Sequence, residues 1–486
     1  MAFVEVAANT LDGAYEIDNS CQFNTDAYCE FTPSSGSGST QFTYSAWVKN
    51  CGAGDQSETG MILSGAGAGS GADNAIQFPS GGSAGKIQFI EYDGGDNAYY
   101  IRTNRLFRDP SAWMHVVLIY DAPDSTAGDR MRLYINGTRE TSFSHEVQLP
   151  QDRAHAGFTR SGVAIRIGAQ ASGSNQRFNG YLADVYFCDG QNYEPSEFGE
   201  TDDNGVWIPK KADVSFGTNG FKLEFKQTGT SANASGIGAD TSGNDNHFSV
   251  SGLDSTNITT DTPTNNFATL NRLTARTHPE LREGNLQQYE HGSTNSAGAA
   301  ATIMPINGKW YCELFLNGPS AGDYPMLGIT DTINLNQQDA QGTKMAAGFE
   351  IDGVTNNQST TNLGTITNTN TGWPTFADND IVMFALDCDN RKLWIGRQGT
   401  WINSGDPAGE SNHQLSWTVS DNVCPFLLGY DNSQSGGGGD ESIWNYGNPP
   451  FAISSSNADA NGYGNFEYGV PSGFYALCTK NLAEYG

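Results

Sequence analysis

Charged side chains are scarce, 16% of 486 residues, against roughly 25% in an average soluble domain. Basic ones are scarcer still: 25 Lys and Arg face 54 Asp and Glu, a formal charge of -29. Such a charge repels phosphate backbones and anionic lipid at long range and makes nucleic acid a poor partner, although it also serves simply to keep a surface soluble. No stretch approaches the ~20 apolar residues of a membrane span, so membrane insertion is not expected. The opening Met-Ala-Phe-Val-Glu-Val lacks the basic start and apolar run of a secretory signal, so synthesis in a cytoplasm is expected. The eight cysteines, at 21, 29, 51, 188, 312, 388, 424 and 478, form no Cys-x-x-Cys pair, which argues against a zinc site or a dense disulfide framework. Cys312, Cys388 and Cys478 sit in apolar runs and are expected as buried thiols. Seven histidines supply no His-Glu-x-x-His, and there is no Gly-x-Ser-x-Gly elbow, so metal or serine hydrolysis lacks its residues. Glycine runs such as 65–71 lack a following Lys-Ser/Thr and are loops rather than phosphate cradles.

What is abundant is Gly, Ser, Thr and Asn, with aromatics at 11%. That mixture suits many short strands joined by tight turns, and the length favours two or three domains. Period-two alternation sets Met131, Leu133 and Ile135 against Arg132, Tyr134 and Asn136, and Phe221, Leu223 and Phe225 against Lys222, Glu224 and Lys226. One face of each run is therefore wet and the other buried. Asn136-Gly137 follows Ile135 as a hairpin turn, because both central residues of such a turn need positive φ. Strands are expected at 42–49, 86–92, 113–120, 130–136, 163–168 and 180–188, and amphipathic helices are absent. The fold class is all-β, two antiparallel β-sandwiches, with domains at 1–228 and 271–486 and a bridging segment at 229–270. Residues 198–226 alternate well enough to close the first sandwich, whereas 227–240 read as a flexible excursion.

The series Ala46-Trp-Val-Lys49, Trp113 to Tyr120, Arg132-Leu-Tyr-Ile-Asn-Gly137, Ile165-Arg-Ile-Gly168 and Phe178 to Phe187 resembles the laminin-G-like, concanavalin-type jelly roll over about residues 10–190. Lys309 to Phe315, Met326 to Thr330, Ile381 to Asp389, Lys392 to Gly396, Trp444 to Phe451 and Pro471 to Leu477 resemble a SPRY sandwich over 300–478. That second run departs from the family in an Asn/Thr-rich insertion, 356–371, and in the glycine run 436–439, both expected on loops. Between the two runs lie Phe198 to Lys211, Gly217 to Phe225, Asp240 to Phe248 and Asp261 to Asn271. Pieces in this order resemble structural proteins of tailed bacteriophages, which implies a virion protein made in the host cytoplasm.

Neither family needs a catalytic residue, so no enzyme is expected. Sugar binding needs exposed aromatic platforms beside amides and carboxylates. Candidates are Tyr92, Asp93, Asp96, Asn97, Tyr99 and Tyr100 in the first domain and Trp373, Trp401, Asn403 and Asp406 in the second, although core packing claims many aromatics in such folds. No cofactor is expected. Calcium is the one candidate ion, at Asp240, Asn244 and Asp245, where an Asx-turn explains the same residues. A glycosidase would need two carboxyls about 5 Å apart for retention. The runs Glu91-Tyr-Asp-Gly-Gly-Asp96 and Glu350-Ile-Asp-Gly-Val354 lack the second glutamate of an alternating acid cluster.

The function implied is a tail fibre, spike or appendage subunit that binds host cell-surface polysaccharide and other virion proteins. Weak sites would be multiplied by repetition, and a homotrimer is expected from the resemblance. A capsid or tail decoration protein, binding virion proteins alone, is the second reading; it gains from the lack of sustained heptads for a shaft. A polysaccharide depolymerase is the third.

Overall fold

The computed structural model describes residues 15–24, 27–52, 59–67, 73–92, 98–173, 176–276, 280–289, 298–317, 326–331, 347–350, 360–362, 365–367, 373–374, 376–416, 423–427 and 441–486. Nearly all regular structure is antiparallel strand. The α-helix among these residues, Thr479–Tyr485, is two turns long, and no helix there is long and apolar enough to cross a membrane. The chain divides between Thr264 and Asn265 into two compact units.

In the first unit one sheet runs Thr138–Arg139, Met131–Ile135, Trp113–Asp121, Gln41–Asn50, Gly180–Asp189, Ser20–Phe23, Ile258–Thr259. Its partner runs Phe143–Val147, Ala98–Thr103, Gln88–Tyr92, Asp73–Phe78, Gly60–Ala66, Ile165–Ile167, Tyr28–Phe31, Ser249–Ser251. Strands distant in sequence lie side by side in both, the topology of a concanavalin-type jelly roll. The alternating residues Met131, Leu133 and Ile135 do face the core between the sheets, joined there by Phe23, Phe42, Phe89, Ile101, Leu182 and Phe221. Asn136 (φ 49°) and Gly137 (φ 72°) make the expected turn.

The first sheet is buried on its outer side as well. Strands Gln41–Asn50 and Gly180–Asp189 are buried along almost their whole length, because the chain after 190 folds back over them. Phe198 and Phe216 pack on Tyr186 and Cys188, and Trp207 packs beside Trp47, Ala183 and Ile17. This cover is pinned by polar contacts. The Trp47 indole stacks on His115 with centroids 4.9 Å apart, and the Trp207 ring lies near-parallel with its centroid at 6.0 Å; the His115 Nδ1 accepts the Trp207 indole N–H at 3.0 Å, and its Nε2 lies 2.8 Å from Ser45 Oγ. Nδ1 is therefore unprotonated and the ring neutral, the proton sitting on Nε2. Lys49, fully buried, pairs with Asp261 at 2.7 Å, and Asp261 also takes the Trp113 indole N–H at 3.0 Å.

Residues 229–264, expected as a bridge, lie within this unit. Ser249–Ser251 pairs with Tyr28–Phe31 and Ile258–Thr259 with Ser20–Phe23, because Ile237, Phe248 and Leu253 are apolar enough to enter the core. That also corrects the flexible reading of 227–240, where Gly229 bridges Gly236 and Ile237 is buried. Of the expected closing strands, Phe221–Leu223 joins the Gly180–Asp189 strand, whereas Gly199–Thr201 and Trp207–Pro209 pair only with each other.

The second unit repeats the plan. One sheet runs Glu280–Arg282, Gln287–Tyr289, Glu441–Asn445, Lys309–Asn317, Ile381–Asp387, Lys392–Arg397, Thr400–Trp401; the other runs Leu270–Arg276, Gly298–Ala301, Val423–Leu427, Met326–Asp331, Ala347–Glu350, Thr360–Asn362, Thr365–Thr367. Here too the outer side of one sheet, with Tyr311, Met383 and Trp394, is covered by Phe466, Phe474 and Cys478 from the last forty residues or so. The clamp is Glu313, buried on the central strand, which accepts the Tyr311 hydroxyl (2.9 Å), the Asn445 amide (3.3 Å) and the backbone N–H groups of Glu467 (2.9 Å) and Tyr468 (2.8 Å). The seven cysteines whose side chains are described are buried thiols outside any disulfide, Cys312, Cys388 and Cys478 among them. Of the insertion at 356–371, expected on loops, Thr360–Asn362 and Thr365–Thr367 are paired strands instead, and the rest, like the whole glycine run 436–439, lies outside the described residues.

Burial pushes the His115 pKa down to about 3. The unfolded chain takes up that proton near pH 6.5, so this residue's contribution to stability is complete above about pH 6.5 and falls as pH drops towards the folded value, by at most about 1.4 kcal/mol per pH unit. His115→Phe keeps the stack but strips Trp207 and Ser45 of their partner, and is expected to cost about 1–3 kcal/mol at pH 7. Chemical denaturation of both proteins from pH 7 to pH 4 should show the gap closing as pH falls; a constant gap would remove His115 from the cover.

Candidate functional site

On the other sheet, Phe143–Val147 through Ser249–Ser251, the central strands Gly60–Ala66, Asp73–Phe78 and Gln88–Tyr92 are buried along most of their length, and outward exposure is found at Tyr92 and on the strands nearer the edges. Alternation along Gln88–Tyr92 sends Phe89 and Glu91 inward and Gln88, Ile90 and Tyr92 outward. The ladder register extends this across the sheet. His145, Arg102, Gln88, Gln77 and Met61 form one row. Tyr100, Ile90, Ala75, Ser64, Arg166 and Glu30 form the next, with Tyr92 opposite Ala98 beyond them.

Met61, Ala75 and Ile90 make an apolar floor, flanked by the partly exposed Tyr92, Ala98 and Tyr100. The Tyr100 ring lies against the His145 imidazole, centroids 3.8 Å apart and planes 3° from parallel. The Arg102 guanidinium sits 5.4 Å from the centroid of the same Tyr100 ring; it donates from Nε to Gln88 Oε1 at 2.6 Å and from Nη1 to Ser83 Oγ at 3.0 Å. No described ring or cation covers Tyr92. At the other end Arg166 pairs with Glu30 at 2.7 Å and lies 4.3 Å from the Tyr28 ring centroid. The loop beyond is tied down by Asp73, whose carboxylate accepts the Ala171 and Ser172 backbone N–H groups at 2.7 and 3.1 Å. Burial raises the Asp73 pKa, these bonds opposing it. The partly exposed Tyr92 ring and Arg102 guanidinium, resting on the buried Met61, Ala75, Ile90 and Gln88, can hold the C–H face of a polyol ring and hydrogen-bond its hydroxyls.

Of the residues expected from sequence, Tyr92 and Tyr100 share this face. Tyr99 does not: one place out of phase, it turns to the interior, packs on the core and lies 4.9 Å from the Arg153 guanidinium. Asp93, Asp96 and Asn97 lie outside the described residues. In the second unit Trp373 is buried in the core between the sheets, which takes it out of any surface site. Trp401 is half-buried, its ring edge-on to Tyr311 at 6.4 Å. Asn403 (φ 52°) is exposed in the turn after it, and Asp406 closes its own loop by accepting the Gly409 N–H at 2.9 Å. At the calcium candidate, the Asp240 carboxylate accepts Lys222 N–H (2.9 Å), Ser242 N–H (2.8 Å), Ser242 O–H (2.8 Å) and Asn246 N–H (2.9 Å). Asn244 donates to Gly217 O and Gly220 O at 2.7 and 2.9 Å, and Asp245 is exposed. Among the described residues no three His, Cys, Asp or Glu side chains are grouped to hold a metal ion.

Arg102, His145, Gln88 and Gln77 were missed, although for Gln88 and Arg102 the signal was present. Gln88, Ile90 and Tyr92 share a parity, as do Ala98, Tyr100 and Arg102, so the phase that keeps Tyr100 and rejects Tyr99 also selects Arg102. His145 had no such signal, since its place depends on an edge strand with little apolar character.

Glu91 is the opposite case, a carboxylate with no access to solvent. It faces inward, receives the Arg153 Nε–H at 3.2 Å and the Ala156 N–H at 2.9 Å, and lies 3.4 Å from His155 Nδ1. Burial pushes its carboxyl up, but His155 and Arg153 together outweigh this and hold it below the usual range.

A family model, Laminin_G_3, the concanavalin A-like lectin/glucanases superfamily, matches residues 23–191. No curated protein matches the chain. Among solved structures the chain is similar to the heptameric SAP-like pentraxin of Limulus polyphemus, at 18% identity, covering 37% of this chain and 80% of that one, with a TM-score of 0.27. It is similar to domains LG4-5 of the mouse laminin alpha1 chain, at 10% identity over 90% and 89%, TM-score 0.30. It is also similar to the SPRY domain of human HERC1, at 13% identity over 36% and 96%, TM-score 0.26.

A superfamily that includes glucanases makes Glu91 the carboxylate to test. Glu91→Gln leaves Arg153 without its anion and is expected to cost about 3 kcal/mol of stability at pH 7. Because the folded pKa is depressed, the wild-type advantage exists above about pH 4.3 and disappears as pH falls through the folded value. Thermal unfolding of both proteins at pH 7 and pH 3 checks this, and equal midpoints at pH 7 would contradict a structural role.

Proposed function

We propose that the protein binds carbohydrate, without transforming it, on the outward face that carries Tyr92, Tyr100, Arg102 and Gln88. The observation that carries this reading is a pair of partly exposed groups on one face: the Tyr92 ring, which no described ring or cation covers, and the Arg102 guanidinium, whose described side-chain partners are neutral. The family match over 23–191, a lectin-like superfamily, supports it. The inward, ion-paired position of Glu91 supports binding over hydrolysis.

The order of motifs along the chain, which resembles that of tailed-bacteriophage structural proteins, supports a finer reading. In it the protein is a virion appendage subunit, a homotrimer whose repeated weak sites engage host surface polysaccharide.

Tyr92→Ala removes the open platform without touching the core. On an array of bacterial surface polysaccharides, the wild-type protein is expected to bind at least one saturably, and the variant about tenfold or more weakly, the equivalent of about 1.4 kcal/mol. Absence of wild-type binding to every polysaccharide would replace this reading with that of a virion decoration protein.

A further inference from the structure

The charges on this face are not all answered alike. Glu30 is taken by Arg166, and the Asp73 carboxylate by the Ala171 and Ser172 N–H groups. Elsewhere in the unit, Arg105, Arg132, Arg139 and Arg153 each reach a carboxylate. Arg102 does not. Its described hydrogen bonds go to the Gln88 amide oxygen and the Ser83 hydroxyl, so its charge is not neutralised by either. Those bonds also fix the fork: Nε and one Nη1 hydrogen are committed, and the other N–H groups of the guanidinium's five are unclaimed by described residues. The Tyr100 ring against it, itself backed by His145, restricts the rotamers of the arginine. An immobilised, half-exposed guanidinium with neutral partners is built to receive a planar anion in two parallel hydrogen bonds. The formal charge of -29 does not forbid this, because charges beyond a Debye length of about 8 Å are largely screened at physiological salt.

Resting on the carbohydrate reading above, we infer that the ligand is an acidic oligosaccharide whose sugar carboxylate is received by Arg102. Arg102 pairs with Gln88, and Tyr92 lies four residues further along that strand, about 13 Å away. This exceeds one sugar ring, so one residue of the oligosaccharide supplies the carboxylate at Arg102 and another packs on Tyr92. Arg102 then sets the preference for acidic over neutral chains, and Tyr92 contributes affinity to both.

The test uses the full chain and paired probes: polygalacturonate, alginate, hyaluronan and the acidic members of the polysaccharide array, each beside its carboxyl-reduced form, in which the uronate has become a neutral sugar of the same linkage. The expected result is that the polysaccharides bound are carboxylated and that reduction weakens them about tenfold or more. Arg102→Gln should weaken the acidic form to about the level of its reduced counterpart, a far larger fold-change than it causes in the reduced form. Arg102→Lys, keeping the charge without the fork, should fall between. Unchanged unfolding midpoints in both variants would separate this from a folding defect, and the wild-type comparison of acidic with reduced probes needs no variant. If the bound polysaccharides are neutral, or reduction makes no difference, the inference is overturned and the carbohydrate reading stands. If no probe of either kind binds, both fall.

Discussion

In each sandwich one sheet is buried on both sides, so every polar group on its outer side has to be met by the chain that lies across it. The solutions are chemically alike. A central strand carries an internal polar residue, Lys49 in the first unit and Glu313 in the second, and the covering chain brings the complementary group: the Asp261 carboxylate at 2.7 Å, or two backbone N–H groups at 2.8 and 2.9 Å. A buried ion left single would cost several kcal/mol. These polar anchors therefore make the position of the cover specific where apolar packing alone would permit sliding. His115 does the same with a neutral ring, which suits a site bordered by two indoles.

The cover decides where a ligand can go. A jelly roll offers two outer faces, and here the face behind Trp207 is filled by the protein's own aromatics. The sheet opposite is exposed on its outward side at Tyr92, Tyr100, Arg102 and the strand beyond them, and its composition differs accordingly. Where the covered side has Trp47, Ala183 and Tyr186, this side has the buried Gln77 and Gln88 beside the partly exposed Arg102 and Tyr92. The contrast arises from alternate residues of neighbouring strands, so the same ladders that hold the fold present the binding groups at fixed spacing.

Much of this was legible in the sequence. The strongly alternating strands at 113–121, 131–135 and 180–189 were placed to within a residue or two, as was the Asn136-Gly137 turn, because an apolar core face imposes the period directly. Short strands with weak alternation, Ser20–Phe23, Tyr28–Phe31 and Phe143–Val147, escaped notice, since their pairing is set by neighbours far along the chain. The reach of the first unit to Thr264 was missed for a similar reason: Gly-, Ser- and Asn-rich sequence between 227 and 246 reads as loop, and only the three-dimensional core shows that Ile237 and Phe248 belong inside. At the site, composition drew attention to Tyr92, Tyr99 and Tyr100 together, whereas strand phase separates them. Trp373 illustrates the same limit, because an aromatic flanked by polar residues looks exposed until the core around it is assembled.

The Lys49–Asp261 pair joins residues 212 positions apart, and the strand just before Asp261 closes the edge against one of the first strands. At about 5–20 residues per second of ribosomal synthesis, some 10 to 40 seconds pass between the appearance of the lysine and that of its partner. During that interval the outer side of the central strand has neither its anion nor its aromatic roof. The nascent jelly roll must wait as an incomplete, sticky intermediate, and its maturation is timed by translation of the last strand rather than by the speed of collapse.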